Sequence, residues 1–298
     1  MSKKEILVSV IIVSYNTCEL TLETLRTFYK SNRFSSCEVL VVDNNSSDET
    51  EKEIKNQFEE VIFIQTGSNL GFGKANNLGV KYAKGDFLLF LNSDTIVNSS
   101  ICEEFLNQYY LFQNESILGA RVFDLDMNPN TSFCRTFPGA KQELNNLGAL
   151  FHSQVGMYFN TTDKPLFLKG PVSGACFFMK KSLFETLGGF DPDFFLYYEE
   201  TDLFLRAAKK GVSIIALDSP SLIHLEGGSE TVKEVTLERS FVSKALYFEK
   251  NIGTYEAYLT KFLFKLNAYL RIVIFSLKKD KVKVDFWKLL VKLENRYL

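Results

Sequence analysis

Four short, largely apolar runs, at residues 7–13 (with Ser9), 38–42 (with Glu38), 61–64 and 87–91, the last two unbroken, punctuate the first hundred residues. Each is too short to stand alone as a helix and reads as a strand covered on both faces, as in a parallel sheet. Between the runs, apolar positions recur at helical spacing. Asn16-Thr17-Cys18-Glu19 resembles a capping box opening a helix to about Tyr29, and Ser46-Ser47-Asp48-Glu49 opens a second. A glycine-rich turn at 67–73 precedes a third helix ending near Ala83. Repeated strand–helix alternation predicts right-handed crossovers and a mostly parallel α/β sheet. Further on, the spacing predicts a helix over 100–113, strands over 118–123 and 174–179, a short helix over 181–187, a helix over 199–210 and a last strand over 213–217. Residues 124–163 show only weak periodicity and read as a mobile acceptor-side loop. From Lys233 onward helical spacing dominates.

Polar residues stop the apolar runs abruptly. Tyr15, Asp43 and the Asn92-Ser93-Asp94 triplet each follow a buried strand at its carboxyl end, where ligands collect in open α/β sheets. An aromatic ring there can stack on a base, and a carboxylate can accept from a base N–H or a ribose hydroxyl. Turn residues and helix caps occupy the same places for local reasons, and Asp48 reads as a cap only. The segment from Asn69 to Gly79, NLGFGKANNLG, contains G-x-G, but Asn76 stands where a dinucleotide fingerprint has its third glycine. The segment also follows the third strand rather than the first. A nicotinamide cofactor is therefore not expected, and no P-loop motif occurs. Backbone N–H groups of such a turn, with Asn69, Gly71, Lys74 and Asn77, can still face a phosphate.

Composition narrows the class. Apolar content of 46% and charged content of 23% are ordinary globular values, and a formal net charge of −2 gives no reason to expect a nucleic-acid partner. The five cysteines have no metal-ligand or redox spacing, so they read as reduced thiols of a cytoplasmic protein. The basic, then apolar, N-terminus lacks a small-residue cleavage site and reads as a strand. No uncharged run approaches the ~20 residues that span a bilayer.

Taken in series, VSVIIVSYN, VVDNNSSDET, NLGFGKANNLG, GDFLLFLNSD, the segment GPVSGACFFMKKSLFETLGGFDPDFFLYYEETDLFLRAAKKG and IHLEGGS resemble glycosyltransferase family 2, in its rhamnosyltransferase-like branch, over about residues 8–229. The resemblance implies a GT-A fold (a Rossmann-like nucleotide-diphospho-sugar transferase sheet). It implies a catalytic domain over 1–232, with a nucleotide-binding half to about 98 and an acceptor half after it, and a helical extension over 233–298. It further implies inverting transfer from a nucleotide sugar, dTDP-rhamnose or a UDP-hexose, to a glycan or lipid-linked glycan. Asp43 and Tyr15 would hold the base. Asn92, Ser93 and Asp94 stand at the D-x-D position, with Asp94 and His224 implied as ligands of Mg²⁺ or Mn²⁺. Asn92 departs from the usual first Asp. Asp191 and Asp193 would shape the acceptor pocket or its turn.

Glu199-Glu200 stands at the family's acidic pair. Helical spacing sets Glu200 with the apolar stripe of Leu203, Phe204 and Ala207, and sets Glu199 and Asp202 with Arg206 on a face expected to be solvated. Spacing alone leaves all three acids as residues that favour a helix N-terminus. The resemblance selects Glu200 as the general base, with Glu199 the alternative. Two rival readings are a sugar nucleotidyltransferase, which should carry a basic glycine-rich loop after the first strand, and a non-catalytic nucleotide-sugar-binding module. The tail from Phe241 carries about 12 Lys/Arg against about 5 Asp/Glu. It fits a peripheral contact with the inner face of the cytoplasmic membrane, or packing on the catalytic domain or on a second copy in a homodimer.

Overall fold

The computed structural model describes residues 6–112, 115–148, 150, 164–225 and 234–298. Within the turn containing His224, residues 226–229 lie outside this set, as does most of the later part of the expected acceptor-side loop. The chain divides into two compact units, one of residues 1–135 and 158–231, the other of residues 136–157 and 232–298.

In the first unit the strands are β1 (Val8–Ser14), β2 (Cys37–Asp43), β3 (Ile62–Gln65), β4 (Phe87–Asn92), β5 (Thr95–Val97), β6 (Ser116–Phe123), β7 (Leu166–Leu168), β8 (Cys176–Lys180) and β9 (Ser213–His224). The helices are α1 (Cys18–Ser31), α2 (Thr50–Gln57), α3 (Phe72–Tyr82), α4 (Ile101–Leu111), then, past a helix of the other unit, α6 (Lys181–Thr186) and α7 (Glu199–Lys209). The sheet runs β3-β2-β1-β4-β8-β6-β9-β5, with β7 also pairing β9. It is parallel through β3-β2-β1-β4. It turns antiparallel where β8 joins β4 and β6, and β6 runs parallel to β9.

Both sheet faces are covered, as the apolar runs require. Val10 and Ile12 of β1, Val41 of β2 and Leu89 and Leu91 of β4 pack with Leu22, Leu25 and Phe28 of α1, Ile54 of α2 and Phe105 of α4. On the other face a Cβ at Gly79 of α3 would lie 2.8 Å from Ile11 and 2.9 Å from Val42, so glycine lets that helix sit directly on the sheet. Phe90 stacks on Phe177 (ring centroids 4.6 Å) and meets Phe184 and Phe190. Each such buried ring contributes about 1.5–3 kcal/mol.

Several sequence expectations need correction. The capping box of α1 is not used: Thr17 makes no side-chain cap, and Asp48 from the β2–α2 loop accepts from Cys18 N at 3.0 Å instead. β9 runs on to His224, well past residue 217, because pairing with β5 satisfies its far end. β5 and β7, three residues each, are too short to show a period. The expected loop over 124–163 contains a helix, α5 (Ala140–Gly148), and belongs partly to the second unit. The reason is packing: α5 lies on α9 (Thr254–Leu277), which packs on α10 (Lys281–Tyr297), and α10 in turn meets α8 (Glu234–Asn251). The buried face of α5 includes Glu143 and Asn146, so its apolar period is masked.

Candidate active site

The register levels the ends of the parallel strands. Ser14 pairs with Asp43, Asp43 with Gln65, and Asn92 lies beside Val13. The loops beyond are tied together. Asn16 turns through φ 52° and accepts from Ser47 N at 2.8 Å, while its own N–H donates to Ser46 Oγ. Tyr15 is thereby left 46% exposed at the rim. Asp43 is buried; its Oδ2 accepts from Ser46 N (3.0 Å) and Gln65 Nε2 (2.8 Å). Its Oδ1 is buried with no partner among the described residues. A buried carboxylate oxygen left unsatisfied is costly, a cost that a donor reaching it from a ligand would relieve.

The glycine-rich turn is organised by Asn44, which sequence reading passed over beside Asp43. Asn44 Oδ1 accepts from Leu70 N at 2.8 Å, and its Nδ2 donates to Asn69 Oδ1 at 3.0 Å. Asn69 in turn accepts from Gly71 N. Gly71 has φ +81°, and a Cβ there would lie 2.2 Å from Phe195 O, the acceptor of Phe72 N. Gly71→Ala is expected to cost about 3 kcal/mol or more through left-handed strain and this clash, read as a lowered urea midpoint. Two candidate ligands are thus engaged within the protein. Asn69 shapes the turn. Asn77 exchanges hydrogen bonds with the Phe190 backbone, Nδ2 to O at 2.8 Å and N to Oδ1 at 2.9 Å. Asn77 is corrected to a clamp between α3 and the 188–190 turn. Lys74 stays exposed on the first turn of α3.

Asp94, nearly buried, sits 3.0 Å from His224 Nε2 through its Oδ1, and Asp94 O accepts from Leu225 N. Asn92 Nδ2 lies 3.4 Å from the same imidazole nitrogen, and Asn92 Oδ1 is buried without a partner among the described residues. The loop is gripped from α1. Thr24 Oγ1 lies 3.0 Å from Ser93 O and 2.8 Å from Thr95 O, and accepts from Thr95 N at 3.0 Å. Ser93 Oγ joins a hydroxyl chain through Thr17 to Ser14 and Thr21. These hydroxyls carry no signal in a single sequence beyond an unusual run of threonines on the buried face of a helix. Thr24→Val removes the partner of a buried N–H and should lower stability by about 1–3 kcal/mol in urea unfolding.

The acids at the start of α7 differ from expectation. Glu199 and Asp202 are buried, each 3% exposed, and Glu200 is half-buried. Asp202 pairs with Arg206 at 2.7 Å, and that guanidinium also donates to the carbonyls of Leu187 and Gly189. The helix is entered through two left-handed residues, Tyr197 and Tyr198, which turn Glu199 inward against Gly73 and Phe190. Glu199 Oε2 finds no partner among the described residues. Burial, then the charge of Glu200, pushes the Glu199 carboxyl well above the usual range; burial raises Glu200 as well. The two carboxyls titrate as a coupled pair, each disfavoured in its charged form by burial. Glu200 Cγ lies 3.2 Å from where a Cβ on Gly174 would stand. It also helps push the Cys134 thiol, already raised by burial, to about 11. Ala175, the next residue after Gly174, accepts Asn92 N at 2.9 Å. One short seam, 174–175 against 92, therefore connects the Asp94 loop to Glu200.

A family model described as glycosyl transferase family 2 matches residues 9–188, well over half of the chain. This chain is a family 2 glycosyltransferase. Similar curated proteins include the low-salt glycan biosynthesis hexosyltransferase Agl10 of Haloferax volcanii, 28% identical over 78% of this chain and 70% of its own length. The dTDP-rhamnosyl transferase RfbF of Shigella flexneri is 26% identical over 73% of this chain and 68% of its own length. An N-acetylglucosaminyl-diphospho-decaprenol L-rhamnosyltransferase of Mycobacterium tuberculosis is 25% identical over 62% and 66%. The solved mannosyltransferase PcManGT from Pyrobaculum calidifontis, in complex with GDP-Man and Mn²⁺, superposes with a TM-score of 0.64 at 14% identity, over 98% of this chain and 84% of that one. The glycosyltransferase has the GT-A fold expected from its sequence.

The donor set of the glycosyltransferase fits a divalent cation. Asn92 Oδ1 lacks a partner, and Asp94 and His224 already touch. Among the described residues no three His, Cys, Asp or Glu gather as a complete cage. Asn92 in place of an acid explains why, and oxygen ligands from a diphosphate would complete such a site.

Proposed function

We propose that the chain moves a sugar from a pyrimidine nucleoside diphosphate carrier, dTDP-rhamnose or a UDP-hexose, to a hydroxyl of a glycan or lipid-linked glycan, with inversion. The seam that sets Glu200 beside the Asp94 loop carries this reading, because it supports acceptor activation and leaving-group stabilisation at adjacent points. The unpaired Asp43 Oδ1 accepts the imide N–H of uracil or thymine, and Tyr15 flanks the ring. Asn92, Asp94 and His224 would hold Mg²⁺ or Mn²⁺, and such an ion would supply positive charge beside the leaving diphosphate. Glu200 takes the acceptor O–H proton as that oxygen attacks the anomeric carbon; the bond from that carbon to phosphate oxygen breaks, and the nucleoside diphosphate leaves. The hexosyl- and rhamnosyltransferase names of similar proteins support the donor class and a role in cell-surface polysaccharide synthesis. We take the acceptor to be carried by lipid, and the protein to sit peripherally at the inner face of the cytoplasmic membrane, with homodimerisation through the C-terminal helices as the competing arrangement.

Thermal unfolding with Mn²⁺ and a panel of nucleotide sugars tests the donor assignment. Ligands that bind only the folded state raise the melting temperature, so dTDP- and UDP-sugars should shift it and GDP- or CMP-sugars should not. A shift confined to GDP-sugars would overturn the base assignment.

A further inference from the structure

Within the second unit, α9 has two unlike faces. Thr260, Leu263, Phe264, Asn267 and Ala268 are buried. Phe264 and Ala268 pack in one cluster with Phe241 of α8 and Val291 and Leu293 of α10. The opposite face is apolar and uncovered. Tyr258, Phe262, Leu266, Tyr269, Val273 and Leu277 recur three or four residues apart, with Leu259 beside the first, and all seven are 37–80% exposed. At 1.5 Å per residue the stripe from Tyr258 to Leu277 runs for about 30 Å. An unbroken apolar band of this length marks an interaction surface.

Charge selects the occupant. Glu256 is the sole acid on α9, whereas Lys261 and Lys265 border the stripe and Lys278, Lys279 and Lys281 follow its end. None of these five lysines has an ion-pair partner among the described residues. A second copy laid parallel on the stripe would set Lys261 and Lys265 against like charge, and an antiparallel copy centred on it would set them beside Ile274 and Leu270, with no acid facing them. An anionic bilayer surface meets both the apolar band and the lysines. No helix among the described residues is long and apolar enough to cross a membrane, so α9 would lie along the interface. Two other basic residues of the tail are engaged within the protein. Arg271 stacks on Trp287 and bonds Asn267, and Lys283 pairs with Asp280. Val291 faces inward, and Leu289 and Leu290 pack against the same core cluster.

We infer that the exposed face of α9, from Tyr258 to Leu277, docks the protein on anionic lipid. Its purpose, presenting the acceptor site to a lipid carrier, rests on the function proposed above; the docking itself does not. Flotation of the full chain with vesicles tests it. The protein should rise with phosphatidylglycerol-containing vesicles and stay down with pure phosphatidylcholine. Bound protein should fall about tenfold in Lys261→Glu/Lys265→Glu and at high salt. It should fall at least as far in Phe262→Ser/Leu266→Ser/Tyr269→Ser, whose melting temperature should match the parent because these side chains already face solvent. Donor turnover with a soluble acceptor, measured on the same samples, should be unchanged; its absence from the parent would count against the transfer reading and leave the docking result standing. Failure of the parent to float on anionic vesicles, or full flotation of the triple variant, would overturn the inference. So would a dimer, seen by sedimentation, that the triple variant converts to monomer without any lipid binding.

Discussion

Glu200→Gln should lower sugar transfer by about a thousandfold while leaving nucleotide-sugar affinity nearly unchanged, since the amide keeps the shape but cannot take the acceptor proton. Glu199→Gln should cost far less, because burial and the charge of Glu200 favour the neutral form of the Glu199 carboxyl, which an amide resembles. The two variants also separate by pH. With Glu200 raised by burial, the acid limb of the rate profile should lie above the ordinary carboxylate range, activity rising as pH passes upward through it. Stability has the opposite sign. A carboxyl whose folded pKa exceeds its unfolded value favours folding most below that unfolded value, about 4.3, and loses the contribution as pH rises through the folded pKa. Glu199→Gln should therefore raise the melting temperature at pH 8 relative to the parent and change it little at pH 4. A large loss in Glu199→Gln with little loss in Glu200→Gln would move the base to Glu199.

Asp94→Ala should remove the metal-dependent thermal shift and lower transfer by about a hundredfold or more. The reverse change is as informative. Asn92→Asp restores a second carboxylate beside Asp94 and His224, and should tighten Mn²⁺ binding by about tenfold, read by titration calorimetry. If Asp94→Ala kept its metal response, the ligand set would have to lie elsewhere in the chain.

Strand ends were the legible part of this protein. The runs at 7–13, 38–42 and 87–91 predicted buried strands, and their terminal Tyr15, Asp43 and Asp94 emerge at one level because parallel register aligns them. The antiparallel half was harder to read. β5 and β7 are too short to show a period, and β9 is held to His224 by a neighbour remote in sequence. At α7, spacing identified the apolar stripe but not the burial of Glu199 and Asp202, which depends on two left-handed tyrosines and on Arg206 reaching back to 187 and 189. The threonine grip on the Asp94 loop depends on α1 lying against β5, a contact between segments some seventy positions apart.

The bond from Asn92 N to Ala175 O makes the spacing between the Asp94 loop and Gly174, against which Glu200 rests, a fixed dimension rather than an adjustable one. A bulkier sugar cannot be admitted by spreading the two walls, since β4 and β8 would have to part along their whole ladder. Retargeting the enzyme thus calls for carving side chains around the site and leaving the backbone frame alone.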